Sequence, residues 1–193
     1  MLTLFHAPNS RSTRFLWLLE ELGAPYRIEY VSIRRGDGSG GPDPRNPHPH
    51  KQVPALDDDG VLVTESAAIA LYLTDAVPAA KMGPMVGETL RGPYLTRLAY
   101  YAGVLEPAVA LKARNSKDQL DIDAYNALDA RLKETLDAQP YLLGDAFSAA
   151  DILYVSLLQF ARTLLPPHVC YDDFLARCTA RPALARAMTK NQP

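Results

Sequence analysis

The sequence predicts an α/β N-terminal domain on a mixed four-stranded sheet, followed by an all-α helical-bundle C-terminal domain. Three observations predict it. Over residues 1–76, short apolar runs bounded by Gly, Pro and Asp alternate with helical patterns. A stretch with Pro78, Gly83, Pro84 and Gly87 follows and reads as a linker over 77–87. From residue 88 to residue 193, apolar residues recur at spacings of three and four.

Leu2-Thr3-Leu4-Phe5 alternates weakly and reads as a first strand, ended by Pro8-Asn9-Ser10. A helix follows from Arg11, with Phe15, Leu16, Leu18, Leu19 and Leu22 on one face. Gly23 is its stop, because glycine takes the left-handed conformation of a helix end without a Cβ penalty. Tyr26 to Ile33 reads as a second strand, and strand, helix, strand in succession implies a parallel pair with a crossover. Residues 36 to 49 hold four glycines and four prolines and read as a loop. Gln52 to Leu56 is a third strand, Asp58-Asp59-Gly60 a hairpin turn and Val61-Leu62-Val63 the returning strand. Glu65-Ser66 opens a helix carrying Ile69, Leu71, Tyr72 and Leu73.

In the second domain Leu95, Leu98, Tyr101 and Leu105 form one helical stripe, and Tyr125, Leu128, Leu132 and Leu136 another. Ser148-Ala149-Ala150-Asp151 has the form of a capping box. Ile152 to Phe160 is apolar nearly all round, the pattern of a central buried helix. Arg181-Pro182-Ala183-Leu184 starts a last short helix, with proline where its missing N–H costs little.

Composition narrows the function. The chain has 193 residues, a formal net charge of −2 and no Lys/Arg run longer than Arg34-Arg35, which gives no electrostatic case for nucleic acid or a membrane surface. No apolar stretch approaches the roughly 18 residues that span a bilayer, and the first residues lack the pattern of a signal peptide. Cys170 and Cys178 form neither a disulfide framework nor a CxxC pair, so a reducing, cytoplasmic setting is expected. His48 and His50 have no nearby third ligand, so no metal is expected.

Three features carry chemistry. Pro8-Asn9-Ser10-Arg11-Ser12 lies at a strand-to-helix junction, where free N–H groups and the dipole end stabilise an anion such as a thiolate. The competing reading is that Ser10 or Ser12 caps the helix. Val53-Pro54 opens a strand; a cis bond there presents the Val53 N–H and C=O to a peptide-like ligand, and a trans proline is an ordinary edge-strand start. Glu65-Ser66 at a helix start can take an amine on Glu65 and a carboxylate on Ser66, or can cap the helix.

The order and spacing of these features resemble a known family. Ser10 to Gly23, His48-Pro49-His50-Lys51-Gln52-Val53-Pro54-Ala55-Leu56, and Glu65 to Leu73 are similar to the three N-terminal signatures of bacterial cytosolic glutathione S-transferases. Tyr141 to Ile152 resembles the capping motif of that family's central C-terminal helix. The resemblance implies a thioredoxin-like first domain, a helical second domain, a homodimer, and glutathione as co-substrate. It places the glutathione thiol at Ser10, with Asn9 and Ser12 as competitors. It gives the cysteinyl backbone to Val53 before a cis Pro54, and the γ-glutamyl end to Glu65 and Ser66. Where the family often has Gly-Lys before Val-Pro, this chain has Lys51-Gln52, so His50, Lys51 and Gln52 are the candidates for the glycyl carboxylate. Arg97, Tyr100 and Tyr101 are candidates for the helical wall of an electrophile pocket between the domains, with core packing or a dimer contact as the alternative for each tyrosine; Tyr154 reads as core. The implied activity is thiolate attack on small hydrophobic electrophiles. Glutathione-dependent disulfide or peroxide reduction, and a non-catalytic ligand carrier or scaffold, are the alternatives.

Overall fold

The computed structural model describes residues 1–193. It divides into two units, Met1–Met82 together with Arg181–Pro193, and Gly83–Ala180.

The first unit contains β1 (Leu2–His6), α1 (Thr13–Leu22), β2 (Tyr26–Tyr30), β3 (Ala55–Asp58), β4 (Val61–Thr64), α2 (Ser66–Ala76) and α8 (Pro182–Thr189). The strands form one sheet in the order β2-β1-β3-β4. β1 and β2 are parallel; β3 is antiparallel to both β1 and β4. This is the mixed sheet the sequence predicts. Leu4 of β1 sits between Ile28 and Leu56 in register. Leu4, Phe15, Leu16, Leu19, Leu56, Ile69 and Leu73 are wholly buried, each side chain worth about 1.5–3 kcal/mol of apolar transfer. Gly23 ends α1 at φ 64°, its N–H on Leu19 O at 3.1 Å. β3 begins at Ala55, three residues later than the sequence suggests, because Pro54 has no N–H to give to a ladder. β2 ends at Tyr30, and residues 31–54 contain neither helix nor strand.

That connection is nonetheless organised. The Asp43 carboxylate accepts from Arg45 Nε and Nη2 and from the Ser32 and Arg45 N–H groups, and the Arg45 side chain holds it at about 2. Gly40 is at φ +70° with the Ile33 carbonyl where a Cβ would stand, 2.2 Å away, so only glycine fits there.

α8 packs on α1. Arg181 Nε and Nη2 donate to the two Glu21 carboxylate oxygens at 2.6 and 2.8 Å, while Arg186 and Lys190 converge on Glu20. The last helix, which the sequence places with the C-terminal domain, thus belongs to the first unit.

The second unit contains α3 (Arg91–Tyr100), α4 (Glu106–Ala113), α5 (Gln119–Ala138), α6 (Ala149–Phe160) and α7 (Val169–Thr179), with a π-helical segment over Tyr101–Leu105 joining α3 to α4. Tyr125, Leu128, Leu132 and Leu136 of α5 are all buried. The capping box of α6 is formed: the Ser148 N–H and hydroxyl both donate to Asp151 Oδ2 at 2.8 Å, and Leu142 N–H reaches Oδ1. The apolar residues of α6 are buried through Leu158, but Phe160 is 86% exposed, since an all-round apolar pattern does not mark where neighbouring elements stop. No helix is long and apolar enough to cross a membrane.

Candidate functional site

The β register gathers three loops. Ala55, at the start of β3, pairs with Phe5 near the end of β1 and with Thr64 at the end of β4. The segments just beyond, 7–12, 52–54 and 65–66, therefore leave the sheet at one end. Val53 is buried against Ala7 and Val31, which fixes the second segment beside the first.

In the β1–α1 loop, Asn9 is exposed at φ 54° and Ser10 is half-buried. Ser10 Oγ donates to Ala7 O at 2.7 Å, lies 2.8 Å from Ser12 Oγ and accepts from Ser12 N–H at 3.2 Å; Ser10 O accepts from Thr13 N–H. Ser10 thus closes the turn that leads into α1. Ser12, at the N-cap position, makes no side-chain cap; it is wholly buried, with Oγ 2.8 Å from His6 Nδ1 and accepting from Ala7 N–H at 3.2 Å. His6 is also wholly buried, and burial lowers its pKa, which favours the neutral ring. Its Nε2 lies 3.3 Å from the Asn191 carbonyl oxygen, which can only accept, so Nε2 carries the proton and Nδ1 receives the Ser12 hydroxyl.

The Val53-Pro54 bond is cis. The residues before it are tied by Asn46, whose Nδ2 donates to Gln52 O at 2.9 Å and whose Oδ1 accepts from His48 N–H. Lys51, at φ 52°, folds its ammonium onto Asn46 O at 2.6 Å, while His50 and Gln52 are exposed. His48 is buried, which lowers its pKa, and Glu65 is close enough to act against that shift. Asn46 was missed by the sequence reading: it is one polar residue in a Gly/Pro-rich loop, where no periodicity singles it out.

Glu65 is exposed and lies at φ 68°, ψ 128°, a conformation that costs a non-glycine residue about 1–3 kcal/mol. It precedes Ser66, the first residue of α2, and makes no side-chain cap. Ile69 N–H is the first to find an intrahelical acceptor, Glu65 O, so the preceding amides at this end point outward without one. Ser10, Val53, Glu65 and Ser66 are thus brought to one end of the sheet, which offers a hydroxyl, a backbone edge, a carboxylate and a helix start. No group of three or more His, Cys, Asp or Glu side chains is placed to hold a metal ion.

Of the three residues assigned to the helical wall, Arg97 and Tyr100 both meet Arg131, whereas Tyr101 is turned into the core. Arg97 lines a cavity of about 550 Å³ in the second unit with Arg131, Gln139, Leu90, Pro93 and Leu142, and its Nη2 donates to Thr135 Oγ1 at 3.2 Å. Tyr100 lies under the Arg131 guanidinium at 4.6 Å. Tyr101 is wholly buried, its hydroxyl on Glu106 and its ring 5.8 Å from Tyr154, which is buried as expected. Adjacent helical residues point about 100° apart, so one tyrosine turns inward where the other stays near the surface.

Comparison with known proteins bears on what such a site serves. The family described as Glutathione S-transferase, N-terminal domain, matches residues 1–75, and that described as Glutathione S-transferase, C-terminal domain, matches residues 117–189. Glutathione S-transferase 3 of Schizosaccharomyces pombe is 45% identical over 73 residues, which is 38% of this chain and only 29% of that protein's length. Glutathione S-transferase GstA of Escherichia coli O157:H7 is 28% identical over 163 residues, 82% of this chain and 81% of that protein. Among solved structures, a sphingomonad glutathione S-transferase complexed with glutathione superposes with a TM-score of 0.79 at 26% identity, covering 98% of each chain.

Proposed function

The chain belongs to the glutathione S-transferase family, and we propose that it binds glutathione at the loop end of its sheet and activates the thiol for attack on small hydrophobic electrophiles. The observation that carries this reading is the convergence of Ser10, Val53 and Glu65-Ser66 on one end of the sheet. Glu65 takes the γ-glutamyl amine, and Ser66 with the open α2 amides takes its carboxylate. The Val53 backbone takes the cysteinyl part, and the exposed His50 and Gln52 side chains stand nearest the glycyl end, since Lys51 is folded onto Asn46.

A free thiol has a pKa near 8.5, and lowering it by about two units needs roughly 2.7 kcal/mol of thiolate stabilisation. A hydrogen bond to a charged group supplies about 1.5–3 kcal/mol. The Ser10 proton rests on neutral acceptors, Ala7 O or Ser12 Oγ; a thiolate competes for it as a charged acceptor. The thiolate then forms the S–C bond as the leaving group departs from carbon. By the same family reading the protein acts as a cytoplasmic homodimer.

Calorimetry tests the reading. Glutathione should bind in the micromolar to millimolar range, and Glu65→Ala should weaken it by about 1.5–3 kcal/mol with the fold intact. Absence of saturable binding up to several millimolar sinks the proposal. Turnover of an aryl halide supports conjugation, whereas turnover of a mixed disulfide alone moves the assignment to glutathione-dependent reduction.

A further inference from the structure

The thiol-site loop is held from the far end of the chain. Asn191, just after α8, is 3% exposed. Its Oδ1 accepts from the Asn9 backbone N–H at 3.3 Å and from the Thr13 hydroxyl at 2.9 Å, and its Nδ2 donates to Asn9 Oδ1 at 2.8 Å. Its backbone oxygen faces His6 Nε2.

The orientation of both amides follows from elementary chemistry. A backbone N–H can only donate, so the Asn191 atom that meets it is the carbonyl oxygen. The other end of that amide is then the amino group, which can only donate, so the Asn9 atom it meets is Oδ1. The Asn9 amino group, with both its protons, is left turned away from Asn191, on an exposed side chain next to Ser10.

We propose that Asn191 is a positioning residue of the thiol site, which aims the Asn9 amino group at the glutathione sulfur as a second donor beside the Ser10 hydroxyl. The inference rests on the glutathione reading above and adds to it a residue 182 positions away from the one it orients. Its backbone carbonyl acts in the same sense. By fixing the proton on His6 Nε2 it draws the Ser12 proton to Nδ1, so the Ser10 proton is the one the serine pair has left to give. Ser12 is thereby kept out of the chemistry, and the donors facing the ligand are Ser10 Oγ and Asn9 Nδ2.

Asn191→Asp tests this with a defined sign. The carboxylate keeps the acceptor for Asn9 N–H and Thr13 but loses the donor to Asn9 Oδ1, so the Asn9 amide turns over and presents its oxygen to the ligand. The pKa of bound glutathione, read from thiolate absorbance against pH, should rise by about one unit, a roughly tenfold loss of thiolate near neutrality. Asn9→Ala should raise it comparably, and adding Asn191→Asp to Asn9→Ala should change little more. Asn191→Ala, which introduces no charge, should move the pKa in the same direction by less. Unfolding midpoints are recorded for each variant, and Asn9→Ala, at an exposed position, keeps the test open if an Asn191 variant folds poorly. An equal rise with and without Asn9 means the carboxylate acts by its charge alone, and overturns the proposal. A depressed wild-type thiol that no variant moves overturns it as well, leaving the glutathione reading standing; a wild-type thiol that is not depressed overturns both.

Discussion

Ser12 and Ser10 are separated by one residue and by nearly all of their accessibility. The Ser12 hydroxyl serves two buried groups, His6 Nδ1 and Ala7 N–H, and neither has water to turn to if the oxygen is lost. Leaving a buried polar group unsatisfied costs about 1–3 kcal/mol. Ser12→Ala should therefore lower the unfolding free energy by about that amount in a denaturant titration, with little effect on bound thiol pKa per folded molecule. Ser10→Ala should do the reverse. Its hydroxyl is half-buried, and its partners Ser12 Oγ and Ala7 O keep other hydrogen bonds without it, so stability changes by less, while the bound thiol pKa rises by about one to two units and conjugation near neutrality drops about tenfold or more, recovering in part at high pH where the thiol ionises unaided. A thiol titration that moves with Ser12→Ala and not with Ser10→Ala would reverse the two roles. The sequence named both serines and could not separate them, because the group that claims Ser12 is His6, buried beneath the loop, and burial of a strand-end histidine leaves no local signature.

At the scale of elements, α1 is stapled to α8 by two acidic side chains that look from sequence like an ordinary solvated face. Glu20 and Glu21 are only 10% and 8% exposed. Burial pushes the Glu20 carboxyl up, but hydrogen bonds from Lys190, Tyr26 and Arg186 outweigh it and hold the group at about 2, against an ordinary 4.5. Between these values the unfolded chain binds the proton and the folded chain does not. The stabilisation is thus complete above about pH 4.5, shrinks as pH falls, and is gone below about pH 2. Thermal midpoints of wild type and Glu20→Gln should differ most near neutrality and converge as pH falls through that window; a gap that persists at about pH 2 would show that packing, not ionisation, sets the difference. Much of the element map was legible because its signals are local. Gly23 stops α1, Asp59-Gly60 turns the hairpin, and Ser148 with Asp151 caps α6, each by chemistry within a few residues. The π-helical turn at Tyr101–Leu105 was not legible, since the stripe of Leu98, Tyr101 and Leu105 satisfies helical spacing with or without one extra residue in the turn. Nor was the docking of α8 on α1, because periodicity tells which face is apolar but not which element covers it.

At the scale of the whole molecule, the first unit is discontinuous: its sheet and site come from one end of the chain and its last helix from the other. Ser10, Val53-Pro54 and Glu65-Ser66 of the candidate site were legible, because they lie in motifs whose residues are neighbours in sequence. Asn46 and Asn191 were hidden, the second because its contact with Asn9 exists only once the chain has returned. This topology makes a definite demand on the C-terminal segment. A chain ended after Ala180 loses Arg181, Arg186 and Lys190, the partners of Glu20 and Glu21, and uncovers the α1 surface that α8 occupies. Losing these partners together with the apolar contact of α8 draws on the roughly 5–15 kcal/mol that stabilises a typical domain. The truncation should bring the first unit close to its unfolding threshold while leaving the second unit's own capping box and α5 stripe in place. Trp17, the one tryptophan of the chain, lies in α1 with Nε1 on Glu21 Oε1 at 3.0 Å, so its fluorescence reports on the first unit. In the truncated protein Trp17 emission should shift to the red at a lower denaturant concentration than in the full chain, and glutathione binding should be lost. Far-ultraviolet circular dichroism, which α3 to α7 contribute to heavily, should retain a second transition close to its original midpoint. An unchanged Trp17 midpoint would show that β1, α1 and α2 close the unit without α8, and that Asn191 and its neighbours refine the site loop rather than hold the unit together.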